Sequence, residues 1–386
     1  MRITIVGGGL AGLTAAIAGA EAGADVVVHE AHQTLGGRAR TTPAPWIAHD
    51  GPHVFYADGP HWGWLLERDL VGAAATLSGA DARGTRFHRD GRLRRMPPPG
   101  LLAMLAHRRR RAPVDQDFSS WAAAHHGPAT ARAAANLMGV VTYDADPGRL
   151  SAAFVWDLLR RVTAPRAPAV RYVVGGWTRV VDRMAAHARE LGVRIHTSSR
   201  VDALPEPPVI VATQLESARS LLRDDALTWE SGRCALLDVG LVGDPRDVVL
   251  VADLDDAGFV ERASRPDPTL APAGHSLVQA DMPMRPGEPQ SAALDRLERL
   301  LDLGLPAWRD RLAWRRAGTA AGRSGALDLP GQTWRDRPAI DRGGDVYLAG
   351  DLVAAPGMRG EVSINSALEA VRLATARSPV RATHGR

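Results

Sequence analysis

The chain has 386 residues and a net charge of +4, and because a single hydrophobic core stops growing well below this length, two domains are expected. No apolar run approaches the roughly 20 residues of a membrane-spanning helix. The first residues do not resemble a secretion signal, so the sequence predicts a cytoplasmic protein. The single cysteine, Cys234, excludes disulfide reductases that need a redox pair. No cysteine or histidine cluster has metal-ligand spacing, so no metal is expected.

All the basic residues are arginine. The 47 Lys and Arg residues include no lysine, which excludes Schiff-base and lysine-nucleophile chemistry. Residues 83–111 hold ten arginines and one acid. For residues 92–111 two interpretations stay open: contact with an anionic membrane surface, or a solvated helix end, which we favour because charge runs usually face water. Nucleic-acid binding is not expected, since no fold motif accompanies the charge, and the oligomeric state stays open.

The first 30 residues predict one βαβ unit. Ile3–Val6 is a short apolar β-rich run, Leu13–Ala22 is an alanine-rich helical stretch, and Asp25–His29 is a second strand. A length of about 30 residues is typical of a dinucleotide-binding half. Residues 71–168 differ in character, with Pro, Arg and Trp among helical patterns, and we interpret them as an insertion.

From Val173 the sequence again alternates between helical and strand patterns. The predicted elements are a helix at Thr178–Leu191, strands at Val193–His196 and Pro208–Thr213, a short helix at Ser217–Asp225, antiparallel strands at Ala235–Val242, Val248–Ala252 and His275–Ala280, a helix at Ala292–Leu303, and a final strand and helix at Val346–Ala349 and Val362–Ala376.

Together these elements predict an α/β fold. A Rossmann-like cofactor domain would be discontinuous and formed by residues 1–70, 169–222 and 330–386. Residues 71–168 and 223–329 would form a mixed α+β substrate domain. The predicted cofactor domain is therefore interrupted twice.

A glycine motif, Gly7-Gly8-Gly9-Leu10-Ala11-Gly12, lies between the first strand and the first helix. Gly7 permits a tight turn, Gly9 lets a pyrophosphate approach the backbone, and Gly12 lets helix and strand pack closely. The helix N-terminus attracts the phosphate charge. Glu30 ends the second strand, where a carboxylate can accept hydrogen bonds from a ribose. The two features together predict dinucleotide binding.

A second motif distinguishes FAD from NAD, since both cofactors use such a unit. Gly36-Gly37-Arg38 follows Glu30, and an arginine fork beside a glycine backbone suits phosphate. Here the chain resembles the FAD-dependent amine oxidase, phytoene desaturase and protoporphyrinogen oxidase superfamily, whose fold is glutathione-reductase-like. The resemblance implies FAD held without a covalent bond. The implied contacts in this part of the chain are Gly7, Gly9, Leu10, Ala11, Gly12, Glu30, Ala31, Gly36, Gly37 and Arg38.

Three further stretches fit the same superfamily. Gly51-Pro52-His53 is similar to the segment that passes near the isoalloxazine ring, and Val201 matches the position whose backbone contacts adenine. Gly350-Asp351 and the following Gly357-Met358 resemble the C-terminal flavin motif. The resemblance implies that Asp351 binds ribityl hydroxyls and that backbone amides near Met358 face the pyrimidine edge.

The absence of lysine bears on the reaction. Amine oxidases of this superfamily typically hold a water between a lysine and flavin N5, so the chain resembles the desaturase-like branch more closely. We expect an FAD-dependent oxidoreductase that dehydrogenates, or desaturates, a small and largely apolar organic substrate by hydride transfer to flavin N5. Two alternatives stay open: a redox-neutral isomerase or mutase, and an amine oxidase that lacks the lysine.

Three residues are candidates for catalysis. His53 is the titrating residue expected near the ring, because the pKa of histidine lies close to neutrality; a histidine that only hydrogen-bonds backbone is the interpretation we slightly favour. Tyr56 and Arg359 are further candidates. An arginine near the flavin could pair with a substrate carboxylate.

Overall fold

The computed structural model describes residues 1–51, 53–164 and 169–376. Within these residues the strands are β1 Arg2–Val6, β2 Asp25–His29, β3 Val54–Tyr56, β4 Ala74–Ala75, β5 Thr85–Arg89, β6 Arg92–Arg94, β7 Val170–Val173, β8 Arg194–His196, β9 Val209–Val211, β10 Ser231–Val242, β11 Leu250–Asp253, β12 Phe259–Glu261, β13 His275–Pro283, β14 Leu312–Ala326 and β15 Val346–Leu348. The helices are α1 Leu10–Glu21, α2 Pro60–Leu66, α3 Gly79–Ala82, α4 Pro99–Ala106, α5 Phe118–His126, α6 Pro128–Leu137, α7 Gly139–Thr142, α8 Ala152–Val162, α9 Trp177–Glu190, α10 Leu215–Leu222, α11 Gln290–Gly304 and α12 Gly360–Ala376.

A parallel sheet of five strands forms the first layer. Its order is β15-β9-β1-β2-β8, and every neighbouring pair is parallel. Strand β9 is a continuous, fully buried apolar run, as is typical of parallel sheets, and Ile3 and Ile5 of β1 are also fully buried. Helices α9 and α12 pack on α1. The strands come from three separate stretches of chain, so the chain leaves this sheet twice and returns to it.

The turn between β1 and α1 depends on its glycines. Gly7 has a φ of +109°, and a Cβ there would lie 2.6 Å from the carbonyl oxygen of Ala212. A Cβ at Gly12 would lie 1.9 Å from the carbonyl oxygen of Gly7. Any side chain at Gly12 would therefore push α1 off β1. Helix α1 begins at Leu10, three residues earlier than the sequence predicts.

A second sheet, of seven strands, has the order β14-β10-β13-β12-β11-β5-β6. On β10 the side chains of Ala235, Leu237 and Val239 are fully buried and share a hydrophobic cluster with Leu297 and Leu300 of α11. Because side chains alternate along a strand, the intervening residues of β10 face the opposite side of the sheet. That side carries polar residues and faces the cavity described below.

Helices α4 to α8 form a third region with its own hydrophobic cluster. Phe118, Trp121 and Trp156 are nearly or fully buried there, and Met358, which precedes α12, joins the same cluster. Met358 thus connects this helical region with the C-terminal segment of the chain. The strands β3, β7 and β4 form a separate small sheet with the order β3-β7-β4.

The predicted α/β fold is confirmed by the parallel sheet and its helices, but several elements differ from the expectation, among them two long-range features of the seven-stranded sheet. The sequence did not predict β14, the longest described strand with 15 residues. Strand β11 pairs with β12 in antiparallel and with β5 in parallel orientation, whereas only antiparallel strands were expected there. The five-stranded sheet draws its strands from 1–70, 169–222 and 330–386; the exact domain boundaries stay a prediction.

The arginine-rich segment is attached to the helical region. In α4, Leu101 and Met104 are buried, whereas Leu102 is 46% exposed. Arg108 donates a hydrogen bond of 2.7 Å to the carbonyl oxygen of Arg160. None of the described helices is both long and apolar enough to cross a membrane. Contact of residues 92–111 with a membrane surface stays a prediction.

Helix α11 offers a matched test of the packing under the seven-stranded sheet. Leu300 is 2% exposed and Leu303 is 44% exposed. We expect Leu300→Ala to lower the free energy of unfolding by about 2–5 kcal/mol, because it removes buried methyl groups and leaves a cavity. Leu303→Ala should change it by less than about 0.5 kcal/mol. Urea denaturation followed by tryptophan fluorescence measures both, and equal losses would contradict this packing.

Candidate functional site

A cavity of about 680 Å³ extends from the β1–α1 turn to strands β10 and β14. Its volume falls in the range of roughly 300–1,000 Å³ that is usual for ligand sites. Among the described residues, Gly12, His53, Tyr56, Gly357 and Met358 do not line it, and Pro52 lies outside the described part of the chain. The predicted site residues that line it are Gly7, Gly9, Leu10, Ala11, Glu30, Ala31, Gly36, Gly37, Arg38, Gly51, Val201, Gly350, Asp351 and Arg359.

The β1–α1 turn presents backbone amides to this cavity. Within the described chain, no acidic residue lies in the first turn of α1 and no side chain caps its amides. A Cβ placed on Gly9 would meet no heavy atom closer than 4.0 Å, so the missing side chain leaves room beside the helix N-terminus. Such an N-terminus binds anions through its amides and its dipole. The turn therefore fits the diphosphate of FAD.

Glu30 is buried at the end of β2 and holds the glycine turn. Its Oε2 accepts a hydrogen bond of 2.7 Å from the amide of Gly8, and its Oε1 accepts one of 2.8 Å from the amide of His32. A carboxylate has about four acceptor positions. The Nδ1 of His32 also lies 2.8 Å from Oε1, so Glu30 can hold the turn and still has about one acceptor position for a ribose hydroxyl.

An ion pair joins the second glycine motif to the C-terminal motif. Arg38 donates two hydrogen bonds, of 2.8 and 2.9 Å, to the two carboxylate oxygens of Asp351. Burial alone would raise the pKa of Asp351, but the charge and hydrogen bonds of Arg38 outweigh it and hold this pKa below its usual value. Both residues line the cavity. The bidentate pair keeps Asp351 ionised as a hydrogen-bond acceptor beside the cofactor site.

The segment before α12 is fixed by Glu361. A Cβ on Gly357, whose φ is +114°, would lie 2.3 Å from Cγ of Glu361. The amide of Met358 donates to Oε2 of Glu361 at 3.1 Å, and Arg161 donates to the same oxygen at 2.6 Å. The structure thus directs the Met358 amide toward Glu361, and its contact with the pyrimidine edge stays a prediction.

His53 lies in a buried polar cluster next to the cavity wall. Its Nδ1 is 3.3 Å from Oε2 of Glu261, and Tyr172 donates its hydroxyl to Oε1 of the same carboxylate. Burial lowers the pKa of His53, but the hydrogen bond and charge of Glu261 outweigh it, so the pKa is raised above 6.5. Tyr56 is also withdrawn from the cavity, with the guanidinium of Arg161 5.1 Å from its ring centroid. Burial raises the pKa of Tyr56.

Strands β10 and β14 supply a part of the cavity that the sequence did not predict. Arg316 donates from Nε to Asp238 at 2.7 Å and from Nη1 to Asp50. Gln279 donates to Asp238 at 2.8 Å. Burial raises the pKa of Asp238 despite the opposing charge of Arg316. We call this region the sheet chamber; its lining residues are Tyr143, Leu236, Asp238, Arg316, Ala317, Gly318, Thr319, Ala320, Ser324 and Arg359.

Tyr143 and Arg359 form one wall of the sheet chamber. Tyr143 follows α7 with a left-handed φ of 54° and is 7% exposed. The guanidinium carbon of Arg359 lies 4.4 Å from its ring centroid. Burial raises the pKa of Tyr143 well above its usual value, so the phenol stays protonated at neutral pH and can donate a hydrogen bond.

Some of these residues had a signal in the sequence and others had none. Asp238 is a charged residue in the middle of an alternating apolar strand, Ala235–Val242, and such a residue needs a buried partner. It could therefore have been noticed. Tyr143 carries no comparable signal, because its position depends on a left-handed residue after a short helix.

One cluster outside the cavity has the residue types of a metal site. His88, Asp253 and Asp255 bring possible ligand atoms within 4.8 Å of one another. However, the Nδ1 of His88 is 2.8 Å from Asp253, and the carboxylates accept amides of the neighbouring turns. We interpret the cluster as an ion pair that fixes two adjacent loops.

The raised pKa of His53 has a consequence for stability. A group with a higher pKa in the folded state adds stability below its unfolded pKa of 6.5, and the contribution is lost as the pH rises through the folded pKa. We expect His53→Ala to cost about 1.5–3 kcal/mol at acidic pH, the range for hydrogen bonds to charged groups, and clearly less in alkaline buffer. Urea denaturation at several pH values measures this. A loss that does not depend on pH, or an equal loss in the exposed control His125→Ala, would contradict the pairing.

Glu30 allows a test of the nucleotide end of the cavity. Glu30→Ala should weaken FAD binding about ten- to a hundred-fold, because hydrogen bonds from a ribose and from the Gly8 amide to a charged group are lost. Titration of the cofactor-depleted protein with FAD, followed by flavin fluorescence, gives the affinity. Glu190→Ala is a control with an exposed side chain. An unchanged affinity in Glu30→Ala would show that Glu30 does not contact the cofactor.

Comparison with known proteins agrees with this geometry. The model of the family described as flavin containing amine oxidoreductase matches residues 10–227, which is more than half of the chain. A search of curated proteins by sequence finds no match.

Among solved structures, an oxidoreductase from Methanosarcina mazei has 15% identity and a TM-score of 0.76, with 96% of this chain and 100% of that chain covered. Cyclohexylamine oxidase from Brevibacterium oxydans IH-35A has 16% identity and a TM-score of 0.69, with 97% and 98% covered. Reduced UDP-galactopyranose mutase has 14% identity and a TM-score of 0.69, with 98% and 96% covered. At these identities the likeness shows the fold, and the superfamily predicted from the motifs is confirmed by the family match. The chain therefore belongs to the flavin containing amine oxidoreductase family and is an FAD-dependent oxidoreductase.

Proposed function

We propose that the protein dehydrogenates a small, largely apolar organic molecule that is not an amine, with FAD as the two-electron acceptor. The observation that carries this proposal is the charge of the sheet chamber. Among the described residues that line it, Tyr143 is the one aromatic residue, and the guanidinium of Arg359 covers its ring. Of the described residues, three charged side chains line the chamber: Arg316 and Arg359 are cations, and the carboxylate of Asp238 is paired with Arg316.

An ammonium group would find no favourable site in this chamber. Ammonium groups are bound by carboxylates or by the faces of aromatic rings. The carboxylates of Asp50 and Asp238 already pair with Arg316, and none of the ten tryptophans lines the described cavity. Arg359 would repel a second cation. The missing lysine removes the water anchor that amine oxidases of the superfamily use.

The rest of the chamber suits a small apolar molecule. Leu236, Ala317, Gly318 and Ala320 present aliphatic or small groups to the cavity. FAD, when bound, would be the hydride acceptor. The chain then has to hold a substrate C–H close to the flavin and exclude water, and the small apolar groups of the sheet chamber are suited to both.

Two titratable groups reach the chamber. Tyr143 stays protonated and can orient a substrate by donating a hydrogen bond. Burial raises the pKa of Asp238, which makes this carboxylate more able to accept the proton that accompanies dehydrogenation. His53 remains a candidate from the sequence, but it does not line the cavity. Asp238 is therefore our preferred base.

The reaction class can be tested with the FAD-loaded protein under anaerobic conditions. A panel of small cyclic and branched hydrocarbons, their alcohols, carboxylic acids and amines serves as the set of probes. We expect a non-amine probe to bleach the flavin and to give a product two hydrogens lighter by mass spectrometry. Bleaching by amines alone would overturn the proposal. So would turnover of pre-reduced protein to a product of unchanged mass, which is the mutase outcome.

The role of Asp238 is tested with the same assay. Asp238→Asn should slow flavin reduction by about a hundred-fold, the usual effect of losing a general base, while FAD stays bound. Asp295→Asn on the exposed face of α11 is the control and should react at the wild-type rate. If Asp238→Asn reduces the flavin at the wild-type rate, the base lies elsewhere, and His53 is then the residue to change.

A further inference from the structure

Arg359 enters the sheet chamber from the segment before α12 and is held by groups that are not anions. Its Nε donates to the carbonyl oxygen of Val141 at 2.9 Å, and its Nη2 donates to that of Val140 at 2.6 Å. The Tyr143 side chain lies against the guanidinium. The backbone at Arg359 has a left-handed φ of 49°, so its unusual backbone conformation and two carbonyls fix where the side chain points.

The guanidinium of Arg359 makes no close ion pair with a carboxylate of the described residues. Arg38 pairs with Asp351, and Arg316 pairs with Asp50 and Asp238. In the described part of the chain, no carboxylate lies within 4.0 Å of the Arg359 guanidinium, since none of the ion pairs there includes it. Asp281 and Asp351 interact with Arg359 at longer range, but burial raises the pKa of Asp281 to about 7 and Asp351 already pairs with Arg38. A half-buried cation without a close counter-ion is costly.

We propose that Arg359 binds a carboxylate of the substrate, so that the substrate is a small organic acid with an apolar body. This inference rests on the proposed function, since it names the substrate class for the same chamber. A guanidinium has a planar fork of donors that matches a carboxylate. The carbonyls of Val140 and Val141 hold this fork in place before the substrate arrives, which lowers the entropy cost of binding. A bound acid supplies the missing counter-ion.

The experiment uses the FAD-loaded protein and two probes of the same shape, benzoate and benzamide. Binding beside the flavin is followed by the change in its visible absorbance. We expect saturable binding of benzoate and at least about tenfold weaker binding of benzamide, because only benzoate forms a charged pair. Arg359→Gln should weaken benzoate binding by about tenfold or more and leave benzamide unchanged. Equal affinities for the two probes, or an unchanged benzoate affinity in Arg359→Gln, would overturn the proposal.

Two further variants separate binding from folding and from general charge. Arg359→Lys keeps the charge and should bind benzoate better than Arg359→Gln does; equal weakness in both, with the flavin retained, would show that charge does not bind the probe. Arg132→Gln is the matched control, because Arg132 is exposed on α6 and does not line the cavity. It should bind benzoate as the wild type does. If Arg359→Gln loses FAD, the benzoate affinity of Arg359→Lys is compared with that of the wild type instead. Benzoate binding by FAD-loaded Arg359→Lys supports the proposal, and its complete loss overturns the proposal.

Inorganic phosphate is the third probe. A carboxylate site should bind benzoate more tightly than phosphate, because the chamber has small apolar walls. Phosphate that displaces benzoate with equal affinity would show a general anion site and overturn the acid proposal. The probes are not turned over, so failure here removes the acid substrate and leaves dehydrogenation standing. Failure of the anaerobic assay with the whole panel removes the proposed function and leaves anion binding to be judged by benzoate alone.

Discussion

The ion pair between Arg38 and Asp351 is the contact on which the cofactor site depends. The two residues are 313 positions apart in the chain, and each belongs to a flavin motif at one end of a discontinuous domain. A partly buried pair such as this one repays its desolvation only when its geometry is good, and the bidentate arrangement provides that geometry. The pair thus holds the turn at Gly36-Gly37 next to Gly350, although two long excursions of the chain separate them.

The seven-stranded sheet serves stability on one face and chemistry on the other. On β10, Ala235, Leu237 and Val239 pack towards α11, while Leu236 and Asp238 line the cavity. A carboxylate in the middle of a buried strand would be costly alone. Gln279 and Arg316 satisfy Asp238 from the two neighbouring strands, so the strand order itself creates a polar surface inside the molecule. The sheet chamber therefore forms only when these strands pair, because no single segment of the chain supplies all of its lining residues.

The contrast between local motifs and long-range strand pairing explains which parts of the fold and of the cavity could be predicted from the sequence. The β1–α1–β2 unit and Glu30 depend on local patterns, namely a short apolar run, glycines with fixed spacing and a carboxylate at the end of a strand. Strand β14 depends on pairing with β10; it has few β-branched residues, and its own sequence gives little sign of a strand. His53 pairs with Glu261, 208 positions away, and no local pattern predicts such a partner. The sequence therefore predicted the nucleotide half of the cavity and missed most of the sheet chamber.

Lysine and arginine cannot divide the structural and functional roles of cations in this chain, because all its basic residues are arginine. The partners of each guanidinium distinguish these two roles instead. Carboxylates neutralise Arg38 and Arg316, and these residues then act as links between segments. Carbonyl oxygens hold Arg359; they orient a guanidinium through its N–H groups but do not cancel its charge. The field of Arg359 therefore extends into the chamber, where it disfavours ammonium groups and favours anions. In the function proposed here, the neutral partners of this one arginine are what make the chamber select an acid over an amine.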